Sequence, residues 1–320
     1  MEVFPKYREA SFSEDFAGYP KVCLANRDTA IIAAWIGNLF SFNLKSMRVE
    51  NQIYVGMPRP LLGACGILQS PCVEPVNAQS CAVATCGGYG VLWNIGDTDF
   101  RKIFLVKGGP VNCVAYSPCG NYLLLGIGYY PLCEEVQRRG HEEARIESWS
   151  ISNDEPKYVT SVTLPGVCVD SLIWDSDDDE ILCVTGMRSQ NRGFVIRLTT
   201  DSLHPISFLE IPFAFSLSAE CFYTLGGGQH VVIVHSGGLY EFYIEGKERT
   251  WEVTFNEKLY SVNFDPDRRE LIFSNGAVLN ADKGCKIKQL PPLARCTSLV
   301  HRLGGGYVGV SRDGVLRCWE

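Results

Sequence analysis

Helix signals are nearly absent from this 320-residue chain. No window of a dozen residues keeps apolar side chains at i, i+3, i+4 and i+7 between capping residues, which excludes a bundle and a doubly wound α/β fold. Long hydrophobic runs are missing too. The longest, residues 30–36, falls well short of the roughly 20 residues a membrane-crossing helix needs. The opening MEVFPKYREA carries charge where a secretory leader needs an apolar stretch, so no export signal is expected. Basic residues are in deficit: the net charge is −7 and the pI about 5.4, which argues against direct nucleic-acid binding, since phosphate neutralisation needs a basic face.

Catalytic and metal signatures are likewise absent. There is no C-x-x-C, although the chain has 14 cysteines, and the closest spacings are Cys81 with Cys86 and Cys113 with Cys119, so no structural zinc is expected. G-x-S-x-G and H-E-x-x-H are missing, and the five histidines have no nucleophile in a recognised setting; His230 and His235, around one β-rich run, read as structural. The triple glycines at 226–228 and 304–306 lack the Lys-Ser/Thr or the helix that a phosphate cradle requires, and read as hairpin turns. The acidic run 175–180 lacks the spacing of a calcium loop and reads as a solvated turn. No metal and no cofactor is expected.

What is present is apolar material cut into short pieces. Hydrophobic residues make up 46% and charged residues 20% of the chain, the balance of a folded globular protein. Most cysteines stand at strand positions (Cys81, Cys113, Cys183, Cys221, Cys318), where they read as reduced, small hydrophobes in a reducing compartment, cytoplasmic or nuclear. β-Branched and aromatic runs broken by Gly, Asn, Asp or Pro fill the sequence. The clearest is VNCVAYSPCGNYLLLGIG at 111–128, a strand apolar on both faces, a Ser-Pro-Cys-Gly-Asn turn and a second strand.

That hairpin recurs within blocks of four strands spaced about 40–55 residues apart, the length of a propeller-blade repeat. The first block has strands at 21–25, 29–36, 39–44 and 52–55, and the second at 62–68, 80–86, 91–95 and 102–106. Five further blocks follow, and the seventh offers only three strands, at 296–303, 307–311 and 315–319. An extended N-terminal segment at 2–7 has no partner of its own, and is expected to complete the seventh sheet and close the ring without an open edge.

These features resemble the WD-repeat β-propellers. The family phrase F-S-P-D-G followed by L-A-S-G-S is matched by VAYSPCGNYLLLGIG and more loosely by VNFDPDRRELIFSNG at 262–276; the Trp-Asp mark appears as Trp93-Asn94, Trp149-Ser150 and Trp319-Glu320. No family-type Gly-His precedes an inner strand, so the buried Asp-His-Ser-Trp tetrad of the family has no material here. The resemblance implies an all-β, seven-bladed propeller over residues 1–320, with six or eight blades as the alternatives.

It also implies that the links between blades and the turns between second and third strands share one face. Two unusual loops fall there: the insert 129–143 and the segment 187–192. Their Tyr129, Tyr130, Arg138, Arg139, Arg188 and Arg192 form the leading partner-binding patch, because long loops on rigid scaffolds carry function and Tyr and Arg dominate binding hot spots. Arg59, Lys107, Phe213, Phe215, Lys258 and Arg295 in the links would add a positive collar around the channel, suited to a carboxylate-bearing or phosphorylated peptide. The expected function is a non-catalytic platform or adaptor for a protein or peptide partner, as a subunit of a larger complex in one variant. The competing expectation, from another class, is a propeller hydrolase or lyase with its site in the channel.

Overall fold

The computed structural model describes residues 6–12, 19–34, 37–55, 71–85, 88–99, 102–105, 110–128, 143–152, 156–175, 180–187, 192–212, 221–224, 230–236, 239–244, 251–256, 259–265 and 267–320. Among them there is no helix. Strand β1 (Tyr7–Ser11) comes first in the chain and belongs to the last sheet. Blade 1 is then β2 (Lys21–Leu24), β3 (Thr29–Ala33), β4 (Asn38–Asn43) and β5 (Arg48–Tyr54), and blade 2 is β6 (Cys72–Val73), β7 (Ser80–Thr85), β8 (Tyr89–Asn94) and β9 (Lys102–Leu105). Blade 3 is β10 (Val111–Tyr116), β11 (Tyr122–Ile127), β12 (Ala144–Ser150) and β13 (Lys157–Leu164). Blade 4 follows with β14 (Cys168–Asp175), β15 (Glu180–Met187), β16 (Arg192–Thr199) and β17 (Pro205–Pro212). Blade 5 is β18 (Cys221–Thr224), β19 (His230–Ser236), β20 (Leu239–Ile244) and β21 (Trp251–Thr254), and blade 6 is β22 (Val262–Asp265), β23 (Glu270–Phe273), β24 (Ala277–Asn280) and β25 (Lys286–Gln289). Blade 7 joins β26 (Cys296–His301), β27 (Tyr307–Ser311) and β28 (Val315–Trp319) to β1.

Every sheet is a four-stranded antiparallel meander, and the innermost strands pack consecutively, β2 on β6, β6 on β10 and so on until β26 returns to β2. Seven such sheets in a closed circle are a β-propeller. The apolar runs of the second strands follow from this arrangement. In β3 every residue after Thr29 is buried: Ala30 and Ile32 pack with Val308 and Val310 of blade 7, while Ile31 and Ala33 pack with Cys81 and Val83 of blade 2. A sheet sandwiched between two others has no solvent face, so hydrophobic–polar alternation disappears from its middle strands. Each fully buried Ile there stabilises the ring by about 1.5–3 kcal/mol.

The outer strands restore the alternation. In β1, Tyr7, Glu9 and Ser11 face solvent while Arg8 and Ala10 are half-buried. This strand closes the ring in the manner expected, as Tyr7–Ser11, whose Ala10 reaches the apolar seam shared with Phe40 and Phe42; of the expected segment 2–7, residues 2–5 lie outside the described residues. Its register runs from Tyr7 opposite Trp319 to Ser11 opposite Val315, bracketed by Phe12 N–H donating to the Gly314 carbonyl (2.7 Å) and Glu320 N–H donating to that of Lys6 (2.9 Å).

A second difference concerns blade 2, whose inner strand is the two-residue β6 inside what reads in sequence as a long connection. The expected strand at 62–68 lies outside the described residues. Pro71 and Pro75 flank the true strand and hold it short, since proline supplies no ladder donor. In the 111–128 hairpin, Asn112 forms a bulge between Val111 and Cys113, as does Asp170 in β14 and Thr297 in β26, so three inner strands bend at the same place near the link face. Gly126 in the partner strand is required for this packing: a Cβ there would lie 2.4 Å from Cys113 Sγ and 2.7 Å from Val169 Cγ1.

The ring's integrity is predicted to rest on β1. Removing residues 1–11 strips five paired residues from β28 and should lower unfolding free energy by about 3–5 kcal/mol, at roughly 1 kcal/mol per lost ladder bond. Chemical denaturation followed by tryptophan fluorescence reads this; a loss below about 1 kcal/mol would show that the seam carries little of the fold.

Candidate functional site

One face of the ring carries the links between blades and the turns between second and third strands. At blade 7 this link face holds a depression of about 390 Å³ lined by Tyr260, Arg295, Thr297 and Arg312. Each side chain arrives from a different element. Tyr260 precedes β22 in blade 6, Arg295 ends the link from blade 6 to blade 7, Thr297 is the bulge residue of β26, and Arg312 begins the turn from β27 to β28. Tyr19 and Lys21 come in from the blade 1 side.

The pieces are fastened together by short polar contacts. Arg312 N–H donates to the Arg295 carbonyl at 2.9 Å, tying the turn to the link. Thr297 Oγ1 donates to the Pro20 carbonyl at 2.6 Å and lies 3.2 Å from that of Val310, joining blade 7 to the entry of blade 1. Lys21 Nζ reaches past blade 7 to donate to the Tyr260 carbonyl at 3.1 Å. The rings of Tyr19 and Tyr260 meet with centroids 5.2 Å apart, and the Arg312 guanidinium stands 5.0 Å from the centroid of Tyr19. That last contact is a cation–π pair at an exposed site, worth about 0.5–1 kcal/mol.

Charge at this mouth is unbalanced. Arg295 Nη1 pairs with Asp313 Oδ1 at 3.1 Å, and both are largely exposed, 71% and 48%. Among the described residues no carboxylate pairs with Arg312 or Lys21, so the site keeps two cations beside two phenol rings on a protein of net charge −7.

Backbone strain coincides with the same residues. Arg295 has φ +53°, a left-handed conformation that costs a side-chain-bearing residue on the order of 1 kcal/mol. The strained geometry aims its carbonyl at Arg312 N–H and its guanidinium at Asp313.

Of the collar residues expected from sequence, Arg295 is in this site; Arg59, Lys107, Phe213, Phe215 and Lys258 lie outside the described residues. So do Tyr129, Tyr130, Arg138, Arg139 and Arg188 of the loop patch, while Arg192 is described only through its backbone, at the start of β16 opposite Met187 and Pro212. Tyr19, Lys21, Tyr260 and Arg312 were missed. The signal was available: Tyr260 lies two residues beyond Lys258 in the same link, and Arg312 stands in Ser-Arg-Asp-Gly, a turn between second and third strands.

Other expected features find their places elsewhere. The family tetrad is absent among the described residues: Trp93 Nε1 donates to the Asp97 carbonyl (3.0 Å), Trp149 Nε1 to Glu147 Oε2 (3.1 Å), and the buried Trp319 Nε1 has no partner. Ten described cysteines are free thiols, five of them buried. Burial pushes the Cys296 thiol up to about 12 and the Cys72 thiol to about 11, far from reactive thiolates. The glycines 304–306 form the tight turn from β26 to β27, all with positive φ, and a Cβ on Gly306 would lie 2.2 Å from the Trp319 carbonyl oxygen. Of the acidic run, Asp175 pairs with Glu180 across the β14–β15 ladder, and Glu180 binds Arg197 at 2.6 Å.

On the opposite, turn face, His301 sits at the seam of blades 6 and 7 with Asp265 Oδ2 3.1 Å from its Nδ1, yet neither ring nitrogen has an aligned hydrogen-bond partner. Tyr307 donates to Glu270 Oε2 at 3.0 Å beside it, with Lys288 Nζ 3.7 Å from that carboxylate. Burial lowers the His301 pKa to about 4 and outweighs the pull of Asp265 and Glu270, so the imidazole is neutral at pH 7.

No family model and no curated protein sequence matches the chain. A chain in the crystal structure of a mitotic checkpoint complex superposes with a TM-score of 0.71 at 12% identity, covering 100% of this chain and 92% of that one. The likeness is one of fold. It extends to 1626 solved chains, a breadth that marks an architecture used for many purposes and selects none of them.

Two predictions follow from these residues. Because the folded pKa of His301 is depressed below its ordinary value of 6.5, its contribution is complete above pH 6.5 and is lost as pH falls toward 4. Denaturation curves should show roughly 3 kcal/mol lost over that window, and His301→Asn should flatten this limb; an unchanged slope in the variant contradicts the assignment. Arg295→Gly should exceed Arg295→Ala in stability by about 1 kcal/mol, since both lose the Asp313 pair and only glycine relieves the positive φ. Equal melting temperatures would contradict the strain.

Proposed function

We propose that this protein is an interaction platform of the WD-repeat-like kind, holding a protein partner on the link face. One observation carries the reading: four elements from blades 6 and 7 converge on an exposed depression lined by Tyr260, Arg295, Thr297 and Arg312, with Lys21 of blade 1 bonded to the Tyr260 carbonyl beside it. Tyrosine and arginine supply large contact area and forked hydrogen bonding, and they anchor most protein interfaces. The supporting frame is rigid, so the free and bound forms of the mouth need differ little, which lowers the entropic cost of docking. The fold likeness to a chain of a mitotic checkpoint complex is compatible with a protein-binding role and says nothing of which partner this chain holds.

Affinity purification from the native source, comparing the unaltered chain with Tyr19→Ala/Tyr260→Ala and with Lys283→Ala/Lys286→Ala on the turn face, tests the proposal. The expected outcome is loss of the copurifying partner by the first variant, by at least about tenfold for two aromatic anchors, and retention by the second. Retention by both, or loss only by the turn-face variant, would place the interface elsewhere and overturn it.

A further inference from the structure

Resting on that link-face reading, we infer that the mouth at blade 7 recognises a phosphorylated side chain in a segment of the partner. The Arg295–Asp313 pair is internally neutral. What remains is Lys21 and Arg312, two cations that no described carboxylate compensates, linked through the Tyr260 carbonyl and the Tyr260–Tyr19 ring contact. A single carboxylate would match one of them. A phosphoryl group carries about −1.5 to −2 charge near neutral pH with three acceptor oxygens, and matches both.

Geometry agrees with this. Arg312 is restrained by its backbone bond to Arg295 and by the face of Tyr19, which leaves the edge of the guanidinium, with its parallel donors, as the part available to an anion. A depression of about 390 Å³ accommodates a phosphorylated side chain with its flanking backbone. The two tyrosine rings supply apolar surface for the neighbouring residues of the segment.

Fluorescence anisotropy with three degenerate peptide pools decides it, with phosphothreonine, threonine or glutamate fixed at the centre. Binding of the phosphothreonine pool at least about tenfold tighter than both others, with a further loss of about tenfold in Arg312→Ala, is expected from loss of a charge-assisted bidentate contact. Arg312→Lys, which keeps the charge and loses the fork, should fall between. Where Arg312→Ala does not fold, Lys21→Met and the salt dependence of the unaltered chain report instead: binding should weaken in the one and fall steeply with salt in the other. Equal binding of all pools, equal binding of the phosphothreonine and glutamate pools, or full retention in Lys21→Met and Arg312→Ala would overturn the inference. Phosphatase treatment of the native extract separates the two readings. A partner that still copurifies through Tyr19 and Tyr260 after treatment leaves the platform standing and removes the phosphate.

Discussion

Everything in this fold depends on the pairing of β1 with β28. A four-stranded sheet buried on both faces has stability only where it has neighbours on both sides, and a row of such sheets leaves two exposed apolar ends unless it closes. Blade 7 is where the row closes, with three strands from one end of the sequence and one from the other. The seam between blades 7 and 1 buries Val22, Ala30, Ile32, Phe40 and Phe42 against Val308, Val310, Leu316 and Cys318, none of them more than 5% exposed. Without β1 and the Phe12 that follows it, the outer part of that seam, at Phe40 and Phe42, would lose its cover.

Closure also builds the site. Phe12 N–H holds the Gly314 carbonyl, fixing the turn that presents Arg312 and Asp313, and the chain then enters blade 1 through Tyr19, Pro20 and Lys21. Thr297 bonds the Pro20 carbonyl, so the inner strand of blade 7 is registered against the same segment. The mouth therefore stands where the two ends of the chain are locked together. The two faces of the ring use charge differently at this seam. On the turn face, Arg302 donates to the Arg27 carbonyl and meets Asp28, which also binds Lys45, and Glu270 takes Tyr307 and Lys288. On the link face, Lys21 and Arg312 meet only carbonyls and aromatic rings among the described residues. The named turn-face charges thus pair with one another, whereas Lys21 and Arg312 pair with no carboxylate among the described residues.

Much of the architecture was legible in the sequence because each blade is a local meander with its own turn chemistry. The 111–128 hairpin fell within a residue of β10 and β11, and the missing twenty-eighth strand correctly pointed to the N-terminus. Two details escaped for physical reasons. β1 is set by the inward reach of Ala10, a tertiary constraint that no local pattern records, and β6 is too short and too flanked by proline to carry a signal. The site was less legible. Arg295 was found by its place in a link, but Tyr19, Lys21, Tyr260 and Arg312 are separated by as many as 293 positions and become neighbours only when the circle closes. Link residues examined one at a time show no cluster; the ring assembles it.

Hydrogen–deuterium exchange at single-residue resolution is the most direct test of this account. If closure by β1 organises both fold and mouth, the amides of Tyr7–Ser11 that pair with β28 exchange as slowly as those of β27, and the Arg312 amide, bonded to the Arg295 carbonyl, is protected with them. Exchange of β1 at the rate of an unfolded segment, with blade 7 otherwise protected, would contradict it.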